Sequence, residues 1–289
     1  MPGEGTQPPP RFDVGRLDAG APPLSVEEVA RRASALAERG PSLEQLDRLA
    51  GPDPIVRVDA LVGGYGRMEI LHGIDLRVGK GQAHCLIGPN GAGKSTVLHA
   101  IYGFADVAGG RIQVNGRDVT RVPPDEKLRS AGVAYVLQEG SVFPEMTVEE
   151  NLWLGGYLLD VREAKARAEA VLERHERLRQ RRRERAGRLS GGERRLLEIS
   201  RALIMDPEVL LIDEPSIGLE PRTIDLVFEA LHRLRKDEGK TILLVEQNAK
   251  KGLEFADVGS VLVAGRLALA GTGQELLHHP EVGRLFLGG

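Results

Sequence analysis

The stretch that most constrains this chain is Gly88-Pro89-Asn90-Gly91-Ala92-Gly93-Lys94-Ser95-Thr96. It follows the pattern G-x-x-x-x-G-K-[ST]. Before it, Ala83 to Ile87 is apolar and long enough for one buried strand. After it, Val97-Leu98-His99-Ala100-Ile101 is apolar at helical spacing. Strand, glycine loop and helix in that order make a cradle for an anion. The glycines let backbone N–H groups turn inward with no Cβ in the way. The positive end of the following helix points at the same spot. Lys94 is placed to reach outer phosphates, and the Ser95 hydroxyl to hold Mg²⁺.

The chain has 289 residues, room for one large domain with an appendage. A formal net charge of −3 gives no global electrostatic case for nucleic acid as a partner. The single cysteine, Cys85, excludes an intramolecular disulfide and suits a reducing compartment. It falls in the strand before the loop, where core packing is its role. No apolar run approaches the ~18 residues of a membrane span. Met1 to Pro10 is proline-rich and lacks the apolar stretch of a secretory signal. A cytoplasmic protein is expected, with any membrane part supplied by other chains.

Residues 1–54 read as an extension. Met1 to Pro23 reads as disordered. Ser25-x-x-Glu28 is a capping box opening an amphipathic helix that Gly40 stops, and a second short helix starts at Ser42. Such helices bury too little to stand alone, so they pack on the main domain or dock a partner. From Ile55 the pattern changes to strands, Ile55 to Val62 and Ile70 to Val78, and Asn115-Gly116 is a hairpin signal after Arg111 to Val114. Val133 to Leu137 is a strand ending at Gln138. Thr147-x-x-Glu150 caps a helix running to Leu159. Glu163 to about Arg185 is rich in helix formers, and its arginine-crowded end, Arg174 to Arg188, reads as a solvated helix face because glutamates are interleaved. A further helix spans Arg194 to Met205. Val209 to Ile212 and Thr241 to Val245 are buried strands, Pro221 to Lys236 a helix, and Val258 to Leu269 a last hairpin. Apolar strands alternating with helices predict a mostly parallel α/β sheet, with an antiparallel β patch beside it.

In such sheets ligands bind beyond the carboxyl ends of the strands. The loop, Asp213-Glu214 and Gln247 converge there. Asp213 suits a role holding Mg²⁺ against the phosphates, and Glu214 suits activation of the attacking water.

Together with Leu189-Ser190-Gly191-Gly192-Glu193, these residues make the chain, from Ile55 onward, resemble the ATP-binding subunits of ABC transporters. The resemblance implies a phosphate-loop, RecA-like domain over 55–289 with a helical subdomain at about 147–189. It implies that Tyr65 stacks on adenine, that Gln138 senses Mg²⁺, and that Ser216 to Glu220 crosses a dimer seam. It also implies that Leu189 to Glu193 acts on ATP held by the opposite subunit. One departure stands out: the family usually places a histidine where Gln247 lies. An amide can donate a hydrogen bond to a phosphate but carries no proton or charge.

Val245-Glu246-Gln247-Asn248-Ala249, Phe143 to Leu152 and the ending Leu285 to Gly289 are similar to the second ATP-binding subunit of branched-chain amino-acid importers. Urea importers share parts of this pattern, and a soluble ABC ATPase is the competing class. The resemblance implies ATP and Mg²⁺ as cofactors and a second ATP-binding subunit, identical or sister, as partner. It further implies integral membrane permease subunits, a solute-binding protein acting through them, and a location at the inner face of the membrane.

Overall fold

Residues Ala83–Ile87 form strand β3, and all five are buried. A strand with no polar face must lie inside a sheet covered on both sides. The computed structural model describes residues 40–138 and 140–287, with Arg32, Ala35 and Glu38. In it β3 lies in a six-stranded sheet. From one edge the order is β10 (Arg266–Thr272), β9 (Val258–Val263), β3, β8 (Thr241–Val245), β7 (Val209–Asp213) and β6 (Val133–Val136). Every pairing is parallel except the β9–β10 hairpin. The predicted parallel sheet is therefore present, and the carboxyl ends of β3, β6, β7 and β8 share one edge.

The antiparallel patch is a separate four-stranded sheet of order β2 (Met68–Gly79), β1 (Pro54–Tyr65), β4 (Asp106–Val114) and β5 (Arg117–Asp118). Asn115 and Gly116 turn β4 into β5 with φ of 50° and 71°, the two positive values a tight hairpin turn needs. Between the sheets runs α2 (Lys94–Tyr102), whose Val97, Leu98 and Ile101 pack with Leu71, Leu76 and Ile112. Lys127, in α3 (Pro124–Ala131), is fully buried and donates to Ile101 O at 2.8 Å and to Val119 O, closing the end of α2. The opposite face of the large sheet is covered by α8 (Pro221–Lys236) and α9 (Ala249–Phe255), through Val227, Phe228, Leu231 and Leu253.

A third core holds four helices together: α4 (Val148–Gly155), α5 (Val161–Arg174), α6 (Glu176–Gln180) and α7 (Gly191–Ala202). Thr147 caps α4 with the anticipated capping box. Strand ends shift by a few residues, and three helix boundaries differ from the sequence reading. First, α4 stops at Gly155 rather than Leu159, where a Cβ would stand 2.4 Å from Arg201 O; glycine is what lets α4 approach α7. Second, the helix read from Glu163 to Arg185 breaks at His175. Its last residues are drawn to the start of α4, where Glu184 O accepts from Val148 N and Arg182 O from Glu149 N, both at 3.0 Å. Those carbonyls satisfy amides that a helix leaves unpaired at its N-terminus. The arginines are accordingly not one solvated helix face: Arg182 pairs with Glu149 and Glu169, Arg185 with Glu145 and Arg174 with Glu238. Third, α7 begins at Gly191, not Arg194, and Leu203–Met205 is a separate 3₁₀ turn.

The second helix of the extension, α1 (Leu43–Ala50), packs on the domain. Gln45 Nε2 donates to Ala270 O at 2.7 Å, Gln82 Nε2 to Leu49 O at 3.0 Å, and Arg77 Nε to Asp47 Oδ1 at 3.0 Å. Leu46 enters the same core as α2 and β2. The reading of Met1 to Pro23, and the helix read from Ser25, lie outside the described residues apart from Arg32, Ala35, Glu38 and Gly40. Leu46 is 1% exposed. Its replacement, Leu46→Ala, should therefore cost about 2–4 kcal/mol of unfolding free energy, read as a lower urea midpoint. A cost under ~0.5 kcal/mol would show that α1 adds nothing to the core.

Candidate active site

The loop after β3 takes backbone conformations that favour glycine, with φ of 147° at Gly88, 78° at Gly91 and 96° at Gly93. Gly88 passes so close to β9 that a Cβ would lie 2.1 Å from Leu262 O. Gly93 precedes α2, so the amides at the start of that helix face the inside of the loop. Lys94 folds back over the loop, its Nζ donating to Gly88 O at 3.0 Å and Pro89 O at 3.2 Å. Burial lowers its pKa, while Glu214 and Asp213 oppose that shift.

Across the cleft, β7 ends at Asp213, which is 3% exposed. Its Oδ1 accepts from the Ser95 hydroxyl at 2.9 Å and its Oδ2 from the Tyr135 hydroxyl at 3.0 Å. Glu214 follows with φ of 43°, an uncommon conformation for glutamate, pinned by its N–H to Val245 O at 2.9 Å. Burial and then the charge of Asp213 push the Glu214 carboxyl above the ordinary glutamate value, with Lys94 pulling the other way. Gln138, just past β6, donates from Nε2 to Glu214 Oε2 at 3.0 Å. Gln247, just past β8, lines the same cleft of about 420 Å³, together with Ile70, Asn90 and Thr96. Thus Lys94, Ser95, Gln138, Asp213, Glu214 and Gln247, picked from sequence, meet at one sheet edge.

Two predicted elements stand outside that cleft. Tyr65, at the end of β1, is 41% exposed and its hydroxyl is hydrogen-bonded to His99 Nδ1. His99 stacks edge-on with Tyr65 and lies against Tyr135, so an aromatic chain runs from the β1 turn to Asp213. None of Leu189 to Glu193 lines the cleft. Ser190 caps α7 instead: Glu193 Oε2 accepts from Ser190 N and Ser190 Oγ, each at 2.9 Å. The Ser190-Gly191 turn is exposed.

Three residues at the site are not anticipated from sequence. Tyr135 and His99 look like core and helix positions. Glu246 looks like a strand end, yet it is buried, and its Oε1 accepts from Ser216 Oγ at 2.6 Å and Asn248 N at 2.9 Å. That carboxylate ties the loop after Glu214 to the backbone presenting Gln247, and burial raises its pKa. A carboxylate between an apolar strand and a polar turn is the available signal.

A phosphate-type loop facing an Asp-Glu strand end, with a second glycine turn opening another helix, defines an ATP-binding cassette. Residues 71–217 match the family described as ABC transporter, and the chain belongs to that family. It is an ATPase coupled to transport, and membership implies dimerisation and membrane permease partners. It is 40% identical over 234 residues to the probable branched-chain amino acid transport ATP-binding protein LivF of Archaeoglobus fulgidus, covering 81% of this chain and 99% of that one. It is 43% identical over 225 residues to the high-affinity branched-chain amino acid transport ATP-binding protein BraG of Pseudomonas aeruginosa, covering 78% and 96%. Among solved structures, it matches the ADP conformation of an ATP-binding cassette of an ABC transporter with a TM-score of 0.73 and 29% identity, over 82% of this chain and all of that one.

The tight approach at Gly88 makes a test. Gly88→Ala has no room for its methyl against Leu262 O and should cost about 2–4 kcal/mol, lowering the thermal midpoint by several degrees. An unchanged midpoint would mean the loop is not held against β9.

Proposed function

We propose that this chain is the ATP-hydrolysing subunit of an ABC importer for branched-chain or related hydrophobic amino acids, working as a dimer beneath membrane permease subunits. The observation that carries the catalytic part is that Lys94, Ser95, Gln138 and Glu214 line one cleft, with Asp213 hydrogen-bonded to Ser95 at its edge, while no residue of the Ser190 turn of the same chain lines it. One chain thus supplies the grip on the nucleotide and offers its second glycine turn to a neighbour. The resemblance of the ending and of Val245 to Ala249 to the importer subgroup supports the solute class.

In this reading the amides of Gly91 to Thr96 and the start of α2 cradle the phosphates. Lys94 Nζ leaves its loop carbonyls for the outer phosphates. Tyr65 presents a half-open ring to the adenine, its orientation held by His99. The donor set near Ser95 fits Mg²⁺: Ser95 Oγ, an Asp213 carboxylate oxygen and the Gln138 amide oxygen are hard ligands, too few for a protein cage but right for an ion shared with phosphates. Bound there, the ion would neutralise charge between the outer phosphates.

Glu214 is the base. Its raised proton affinity favours taking a proton from water, and Gln138 Nε2 fixes which oxygen is free to do so. Gln247 donates an amide N–H to the terminal phosphate. The partner's Gly191 and Gly192 amides, at the head of α7, close the site from the other side.

Membrane subunits have a surface to meet. A groove of about 400 Å³ lies beside the Gln138 turn, lined by Tyr135, Phe143, Leu154, Tyr157 and Arg201. Phe143, Leu154 and Tyr157 are exposed apolar side chains there, which favours an apolar segment of a permease. Among the described residues no helix is long and apolar enough to cross a membrane.

Glu214→Gln should lower turnover by about 10²–10⁴-fold and trap an ATP-bound dimer, seen as a doubled mass in light scattering. Turnover at the wild-type rate would remove Glu214 from its role. Ser190→Arg should abolish turnover while leaving ATP affinity of the monomer within about twofold, measured by calorimetry. Loss of monomer binding would argue against a site shared between two chains.

A further inference from the structure

Arg195 lies one and a half turns into α7 and is 5% exposed. Its Nη1 donates to Leu137 O at 2.5 Å and reaches Gln138 O at 3.4 Å, while Nη2 donates to Asp213 O at 2.9 Å. Its charge is met by Glu198 one turn on, with Nη1 2.7 Å from Oε2, and Glu198 is 6% exposed. One guanidinium therefore holds the backbone of two neighbouring strand ends. One end carries Gln138, and the other carries Asp213 and the strained Glu214. The same helix begins with the exposed Ser190 turn.

We propose that Arg195 is a positioning residue for ATP hydrolysis: its planar fork sets the spacing of Gln138 and Glu214, and its Glu198 partner links that spacing to whatever occupies the neighbouring groove. This rests on the site assignment proposed above. Three features argue for it over simple packing. A buried ion pair is an inefficient source of stability, since apolar side chains of similar volume often do as well or better. The acceptors are three main-chain carbonyls at the ends of two neighbouring strands, a pattern that an ammonium or a methyl cannot reproduce. Glu198 also lines the groove with Phe143, Tyr157 and Arg201, and the Arg201 guanidinium sits 5.7 Å over the Phe143 ring. An occupant of that groove touches the carboxylate holding the fork, and through it the Gln138–Glu214 hydrogen bond.

The test uses the full-length protein and two variants that remove the fork in different ways. Arg195→Met with Glu198→Leu replaces the pair by apolar volume, and Arg195→Lys keeps the charge but loses the fork. Each should keep the wild-type thermal midpoint within a few degrees and KM for ATP within about threefold, while kcat falls about 10- to 100-fold. A merely structural pair predicts the same retained midpoint for the double variant but an unchanged kcat. Wild-type kcat in either folded variant overturns the proposal. Glu214→Gln run alongside separates the two levels. If it is inactive and the fork variants are fully active, only the role of Arg195 fails. If Glu214→Gln itself turns over normally, the site assignment fails and takes this inference with it.

Discussion

Asp213 brings a carboxylate to a nearly solvent-free place at the end of β7, and the structure around the cleft is arranged to hold that charge. An isolated buried carboxylate is costly, so each oxygen needs a donor. Ser95 supplies one from the start of α2 and Tyr135 the other from β6. Lys94 adds a positive charge across the cleft. Satisfying one side chain thereby fixes the phosphate loop, the helix behind it and the neighbouring strand relative to each other. The parallel sheet makes this possible, because only parallel neighbours deliver β3, β6, β7 and β8 to the same edge.

The group of helices α4 to α7 reaches that edge through α7. Its own core is separate, built on Leu152, Leu172, Leu178 and Leu197. The link to the sheet that carries chemical meaning is the fork of Arg195 on Leu137 O, Gln138 O and Asp213 O. Among the described residues, the extension makes no such link. Its α1 fills a gap between β2 and β10, at a distance in the fold from the cleft's lining. Helix α7 therefore joins two places: the Ser190 turn at its start, and the Gln138 turn beside its middle.

What sequence reasoning reads well is local. The glycine loop, the Asn115-Gly116 turn and the capping box at Thr147 each follow from side chains within a few positions of one another. Asp213 and Glu214 are legible because a fully apolar run places its first charged residues where a buried strand leaves the sheet. One failure is local, the start of α7, which the Ser190–Glu193 capping box sets; the others are long-range. The break at His175 runs against helix propensity and is decided by the start of α4, more than twenty residues earlier. Tyr135, His99, Glu246 and Arg195 carry no signal of their own, since their partners lie on other strands. An arginine and a glutamate three apart on a helix look like a surface pair. Only the fold shows this pair buried.

Gln247 carries no titratable proton, so the acid–base carboxylates beside it are Glu214 and Glu246, and that has a thermodynamic consequence. Glu214 and Glu246 both hold their protons more tightly in the folded chain than ordinary glutamates do, for the same first reason, burial. As pH rises past the ordinary glutamate value the unfolded chain releases these protons first. The native state then binds more protons than the unfolded one, so the contribution of the two groups to stability falls through that window. At neutral pH both carboxylates are thus held at a cost, and the positive φ of Glu214 adds to it. Ser216, Asn248 and Gln138 offset part of that cost by donating to the two carboxylates. A carboxylate that is costly to keep ionised is also one that gains by taking a proton, which is the property the role proposed for Glu214 uses.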